Sequence, residues 1–183
     1  MSSTLAAWLR SRKRYALVVV LLTFIAPCIS TATASASTGG RFIVENNNSN
    51  FCMSVPGDKI YAGAPINQYT CEYDSLFPDQ YWYEEPSSSH SGWFYFQPQQ
   101  NNTLCATYVP GSTAEITLQY CGVNAANGNT NTQLWHYDYN SGELATVQGW
   151  SMSVPGARTD VEPINIYPYG PYADQYWSVI SVP

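Results

Sequence analysis

Beyond residue 40 the apolar positions come in short alternating runs, without the three-and-four spacing of an amphipathic helix. Residues 42–44, 93–96, 116–120 and 176–180 read as strands, because alternation sends successive side chains to opposite faces. Clusters of Asn, Gln, Ser and Gly at 46–48, 99–102, 127–129 and 140–142 read as turns. Pro and Gly interrupt the chain too often for helices of ordinary length. The pattern predicts an all-β chain of many short strands, hence a barrel or a sandwich.

Superimposed on this alternation is a repeat. MSVPG at 53–57, PINQY at 65–69 and DQYW at 79–82 return in the same order as MSVPG at 152–156, PINIY at 163–167 and DQYW at 174–177. A more diverged copy lies between them. It carries Val109-Pro110-Gly111 with one extra residue ahead of the turn, then ITLQYC at 116–121, then Thr132-Gln133-Leu134-Trp135. Three Gln-x-Trp units result: Gln80 with Trp82, Gln133 with Trp135, and Gln175 with Trp177. The repeats run over about residues 41–91, 92–137 and 138–183 of one domain. Each Val-Pro-Gly predicts a type II turn, since Pro presets φ at its second position and Gly accepts positive φ at its third. The stretch 83–92 reads as a loop inserted into the first copy, with Glu84 and Glu85 as solvated side chains. Three copies can form an open array or a closed threefold barrel. Closure leaves no exposed sheet edge, so the expectation is a β-trefoil.

The first 36 residues are of another kind. Arg10, Arg12, Lys13 and Arg14 precede an apolar run from 16 to 26, and Ala-Ser-Ala at 34–36 follows. This is the layout of a cleaved secretory signal peptide; the run is short of the roughly 20 residues needed to span a bilayer. The segment holds four of the seven basic residues and none of the thirteen acids, so the remainder carries three basic against thirteen acidic side chains. Such a surface repels phosphate backbones and anionic lipids. The expected product is a secreted, extracellular monomer with no nucleic-acid partner and no membrane insertion after cleavage. Tyr, Asn, Gln, Ser and Thr take the place of charge, and the aromatic share is 15%. Tyr offers a rigid apolar face with a hydrogen-bonding tip, which suits a wet binding site.

Four cysteines remain after the leader, and the repeat selects their pairing. Cys52 and Cys71 correspond to Cys105 and Cys121, while the third copy has Ser151 and Tyr169 at those places. Both partners are lost together, so Cys52–Cys71 and Cys105–Cys121 are the expected bridges. No Cys or His spacing suits a metal, and no cofactor is expected.

A cysteine-led strand, a turn, an Ile-x-x-aromatic strand ending in Cys, and Gln-x-Trp, in three copies, resembles the ricin B-type lectin family over nearly the whole chain from Arg41. The resemblance implies a β-trefoil that binds galactose-like glycans in shallow pockets, up to one per repeat. It implies that the Trp of each Gln-x-Trp is core and the Gln ties backbone together. That family places an Asp two residues after the first cysteine; here the position is Ser54, Thr107 (or Tyr108, given the extra residue) and Ser153. Its stacking aromatic corresponds to Tyr69 and Tyr167 but to Gln119 in the second copy, and its strand polar residue to Asn67, Thr117 and Asn165. Asp79, Thr132 and Asp174 precede the final Gln. The sugar-binding candidates are therefore Asn67, Tyr69, Asp79 and Gln80 in the first repeat, and Asn165, Tyr167, Asp174 and Gln175 in the third. Asp79 and Asp174 are the candidates to replace the missing carboxylate.

Two rival readings accompany this one. A trefoil that no longer binds sugar would bind another protein, as a protease inhibitor or adhesion factor, through loops 83–92 or 123–131. An enzyme is not expected: His90 and His136 stand apart from any nucleophile or metal motif, and no pair of carboxylates is placed to work across a substrate.

Overall fold

The computed structural model describes residues 40–73, 77–122 and 130–182. The leader, the turn at 127–129 and most of the loop 123–131 lie outside the described residues. Among the described residues, thirteen strands and five single 3₁₀ turns make up the regular structure. The first repeat supplies β1 (Arg41–Asn46), β2 (Phe51–Ser54), β3 (Asn67–Thr70) and β4 (Trp82–Pro86). The second supplies β5 (Phe94–Pro98), β6 (Leu104–Thr107), β7 (Thr117–Tyr120) and β8 (Trp135–Asp138). The third supplies β9 (Glu143–Thr146), β10 (Trp150–Ser153), the two-residue β11 (Glu162–Pro163), β12 (Asn165–Pro168) and β13 (Trp177–Val182).

Six strands close a barrel. β1 pairs with β4, β4 with β5, β5 with β8 and β8 with β9, all antiparallel. A bridge from Glu143 to Tyr176 leads from β9 to the start of β13, which pairs with β1 over its whole length. This closure answers the aggregation problem of a free sheet edge. The hairpins β2–β3, β6–β7 and β10–β12 form the remaining layer. They meet in a ring of three backbone hydrogen bonds: Ile66 N donates to Ile116 O (2.9 Å), Ile116 N to Ile164 O (2.8 Å) and Ile164 N to Ile66 O (3.0 Å). Ile116 therefore stands just outside β7, its amide and carbonyl serving the threefold junction instead of the hairpin. The fold is a β-trefoil.

The Gln-x-Trp units are the scaffold's common part. Trp82, Trp135 and Trp177 are fully buried, and each indole N–H donates to a backbone carbonyl, of Met53 (3.0 Å), Ala106 (3.2 Å) and Met152 (3.0 Å) respectively. Burying an indole contributes on the order of 4 kcal/mol by area, and the N–H partner removes the penalty of a buried donor. The glutamines staple backbone in the same way three times. Gln80 donates to Thr70 O (2.8 Å) and accepts from Glu72 N (2.9 Å). Gln133 donates to Tyr120 O (3.0 Å) and accepts from Gly122 N (2.9 Å), and Gln175 donates to Pro168 O (3.0 Å) and accepts from Gly170 N (2.9 Å).

The two disulfides are Cys52–Cys71 and Cys105–Cys121, with Cα atoms 4.9 and 5.0 Å apart. In the third hairpin Ser151 stands where a cysteine would and donates to Glu143 Oε1. The three Val-Pro-Gly turns close by hydrogen bonds from Asp58 N to Val55 O, Ser112 N to Val109 O and Ala157 N to Val154 O. Their glycines have φ of 63°, 65° and 68°, a region that only Gly enters without strain.

The stretch 83–92 differs from the sequence expectation. β4 runs on to Pro86, with Glu84 opposite Phe96 of β5, and only the residues after it form the loop. Glu84 is half-buried, not solvated; its Oε1 is buried with no hydrogen-bond partner, and burial pushes its carboxyl pKa up.

Candidate functional site

Each pocket is built where the end of a hairpin meets the 3₁₀ turn that precedes Gln-x-Trp. In the first repeat the β2–β3 register sets Ser54 opposite Asn67 and Cys52 opposite Tyr69. In the third, β10–β12 sets Ser153 opposite Asn165 and Ser151 opposite Tyr167. The turns at Pro78–Gln80 and Ala173–Gln175 bring Asp79 and Asp174 against these hairpin ends. A cavity of about 500 Å³ results in the first repeat, lined by Ser54, Asn67, Tyr69 and Asp79 among others. Its counterpart of about 540 Å³ is lined by Ser153, Asn165, Tyr167 and Asp174.

The serines hold the turn carboxylates. Ser54 Oγ donates to Asp79 Oδ2 at 2.5 Å, and Ser153 Oγ donates to Asp174 Oδ2. Val154 N donates to the same Asp174 oxygen at 2.9 Å. Both of these bonds to Asp174 fall on Oδ2, and the residue lines the pocket. In both repeats a serine at the hairpin end thus holds the carboxylate of the facing turn. Asp79 is held above the usual carboxylate pKa, chiefly by burial and further by the charge of Asp58, with the Ser54 hydrogen bond pulling the other way.

The asparagines each carry a buried, unpaired acceptor beside a pocket. Asn67 Oδ1 and Asn165 Oδ1 are buried without a hydrogen-bond partner, while Asn165 Nδ2 donates to Thr113 O at 3.2 Å. A buried unpaired amide oxygen costs about 1–3 kcal/mol, which a ligand hydroxyl would recover only if the amide turned toward it. Tyr69 and Tyr167 are 44% and 42% exposed, so each offers a ring face to solvent. Tyr172 packs edge-on to Tyr167 with centroids 5.7 Å apart. Each pocket thus has an apolar face, an acceptor-only carboxylate and an amide oxygen.

Gln80 and Gln175, the remaining candidates, are not brought into the pockets. Both are fully buried, with their amides engaged by backbone as described above, so they are scaffold here. The second repeat lacks the constellation. The register Thr107 opposite Thr117 and Cys105 opposite Gln119 identifies Thr107, not Tyr108, as the counterpart of Ser54 and Ser153. Thr107 Oγ1 donates to Cys105 O (2.9 Å) and accepts from Gln133 Nε2 (2.9 Å). Gln119 donates to Thr117 Oγ1 (3.1 Å), and Tyr108 is buried edge-on against Trp135 at 5.2 Å. No acid and no exposed ring stand at these positions.

Sequence reasoning missed several pocket residues with chemistry to offer. Asp58, Glu72 and Phe77 line the first pocket, and Tyr172 lines the third. Asp58 was legible only as the residue after a turn glycine. As for metals, one group of potential ligands among the described residues, Glu45 with Cys52 and Cys71, is already committed through its disulfide.

No family model and no curated protein matches the sequence. Solved structures do match the fold. The designed threefold-symmetric protein ThreeFoil aligns at 18% identity and TM-score 0.63, covering 78% of this chain and 99% of that one. The C-terminal half of the earthworm R-type lectin, in complex with GalNAc, aligns at 12% identity and TM-score 0.61, covering 78% and 98%. An exo-β-1,3-galactanase from Clostridium thermocellum aligns at 19% identity and TM-score 0.64, but over 30% of its own length. At these identities the likeness establishes the trefoil fold alone.

Proposed function

We propose that this chain is a secreted, non-catalytic carbohydrate-binding protein of the ricin B-type lectin kind, with one sugar pocket in the first repeat and one in the third. The observation that carries the reading is the matched set Ser54–Asp79 with Asn67 and Tyr69, and Ser153–Asp174 with Asn165 and Tyr167. A pyranose has one apolar face and a rim of hydroxyls. The Tyr ring takes the face, the Asp oxygen accepts from a hydroxyl with the added strength of a charged acceptor, and the buried Asn oxygen accepts from another. Several of the fold's structural relatives are lectins, among them the earthworm protein bound to GalNAc, and galactose-type glycans are the first ligands to try. The scaffold glutamines and tryptophans contribute rigidity, which spares the ligand the cost of ordering its site. The protein works as a monomer with two pockets.

A broad glycan array probed with the protein lacking residues 1–36 tests this. Binding to a defined set of glycans, abolished in a Tyr69→Ala, Tyr167→Ala double variant, is the expected result. Silence across the array, or binding untouched by the double substitution, would remove the reading in favour of a sugar-inactive scaffold.

A further inference from the structure

The two pockets share a frame but not a charge. At the residue after the turn glycine the first repeat has Asp58 and the third Ala157, both in the left-handed region with φ of 57° and 51°. Five residues before the buried Gln-x-Trp glutamine the third repeat has Gly170, and at the matching place after Cys71 the first has Glu72. The first pocket is therefore lined by three carboxylates, of Asp58, Glu72 and Asp79, where the third is lined by Asp174. Among the described residues no Lys or Arg lines the first pocket.

Asp58 is held in place and does not trail into solvent. Its Oδ1 accepts from Gln100 Nε2 at 3.1 Å, a residue of the turn after β5. Its backbone N donates to Val55 O, and Val55 N donates to Asp79 O at 3.2 Å, so the two turns that bear the acids are tied together. Two carboxylates in one partly buried pocket repel each other, and either a proton or a cation relieves them. Asp58 does raise the Asp79 pKa, and a cation that arrives with the ligand would let both stay ionised. A neutral hydroxyl does not answer that need, whereas an ammonium group brings one positive charge and three donors. The aromatic wall of Tyr69 and Phe77, with the unpaired Asn67 oxygen, calls for a ring with hydroxyls.

We propose that the first-repeat pocket takes an amino sugar with a free ammonium group, a 2-amino-2-deoxyhexose, while the third-repeat pocket takes a neutral sugar. This rests on the carbohydrate-binding reading above and adds a charge class to one of its two sites. The ammonium lies between Asp58 and Asp79, Tyr69 stacks on the ring, and the Asn67 oxygen accepts from a neighbouring hydroxyl.

The test uses galactosamine and glucosamine, each against its N-acetyl form, titrated at neutral pH with the two pockets followed separately by NMR. Expected is at least about a tenfold preference for the amine at the first pocket, as charged hydrogen bonds are roughly twice as strong as neutral ones, and none at the third. The preference falls as salt is raised. Asp58→Ala installs the residue that the third repeat already tolerates at this φ, and removes the preference while binding at the third pocket persists, which also reports that the variant is folded. Ala157→Asp confers an amine preference on the third pocket. Equal binding of amine and N-acetyl forms at the first pocket, with a neutral sugar bound at the third, overturns this inference alone. So does calcium binding between Asp58 and Asp79, supplied as calcium chloride, if neither amine displaces it. If neither pocket takes any of the four sugars while the glycan array shows binding, this inference alone falls; if the array is silent too, the carbohydrate reading itself falls.

Discussion

Ser54 donates its hydroxyl hydrogen bond to Oδ2 of Asp79 across 2.5 Å, joining the end of β2 to the turn that leads into Trp82. The same couple recurs between Ser153 and Asp174. It fixes an acceptor-only oxygen at the pocket wall, and the first expectation follows from that. Asp79→Asn and Asp174→Asn keep the size and remove the charge. Each weakens sugar binding at its own pocket by about 10- to 100-fold, roughly the 1.5–3 kcal/mol of a hydrogen bond to a charged group. Isothermal titration checks it; a change of less than about twofold at both sites means the carboxylates do not touch the ligand.

Tyr69 and Tyr167 stand about half exposed on the hairpin rims. Replacing either by Ala removes a stacking face without opening a core cavity. Affinity at that pocket drops about tenfold or more, while the unfolding free energy stays within about 0.5 kcal/mol of the parent. Paired titration and urea unfolding separate the two effects, and a large stability loss would make these rings structural.

Gln133 sits in the repeat without a pocket, yet bonds Tyr120 O, Thr107 Oγ1 and Gly122 N. Gln133→Ala orphans backbone groups beneath a fully buried Trp135 and costs about 1–3 kcal/mol. Sugar binding at the other two repeats is retained under native conditions. Denaturant unfolding with and without sugar measures both parts; unchanged stability would contradict the stapling role.

Asp79 and Glu84 both have carboxyl pKa values raised by burial. The folded chain therefore takes up these protons at higher pH than the unfolded chain does. Their contribution to stability falls as pH rises through the raised values and is regained on acidification toward the ordinary carboxylate range. Glu84→Gln supplies the neutral form permanently, so it raises the melting temperature at neutral pH and flattens this part of the stability–pH curve. Binding has the opposite sign at the first pocket. On the proposed reading the ionised Asp79 accepts from the sugar there, so affinity is lost as pH drops through a value above that of an ordinary Asp. Melting and titration from about pH 4 to about pH 8 test both signs.

Much of this was legible because the chain states its plan more than once. Met53 and Met152 head identical MSVPG blocks, which align Ser54 with Ser153, and the two DQYW blocks align Trp82 with Trp177. The paired loss at Ser151 and Tyr169 gave the disulfides for the same reason. What stayed hidden depends on contacts between copies or on facing turns. The Ile66, Ile116 and Ile164 ring uses only backbone atoms, so any apolar residue would have read the same. The Ser54–Asp79 bond joins residues far apart in sequence, and Ser54 alone looked like a lost acid instead of the support for the carboxylate of the facing turn. Glu84 beside Glu85 resembled a solvated loop because no sequence pattern reveals that β4 continues to Pro86. Gln80 and Gln175 were candidates for both scaffold and ligand, and only their complete burial decides between the roles.

A titration of the isotope-labelled protein tests most directly the proposed pair of sugar pockets flanking a middle repeat without one. The ligand is the best glycan from the array, and the readout is the map of backbone amide shifts. Two clusters of perturbation are expected, around Tyr69 and Asp79 and around Tyr167 and Asp174, with Gln119 and Thr132 unmoved. Perturbations centred on Gln119 and Thr132, or spread along 83–92 with both Tyr sites silent, would contradict the two-pocket arrangement.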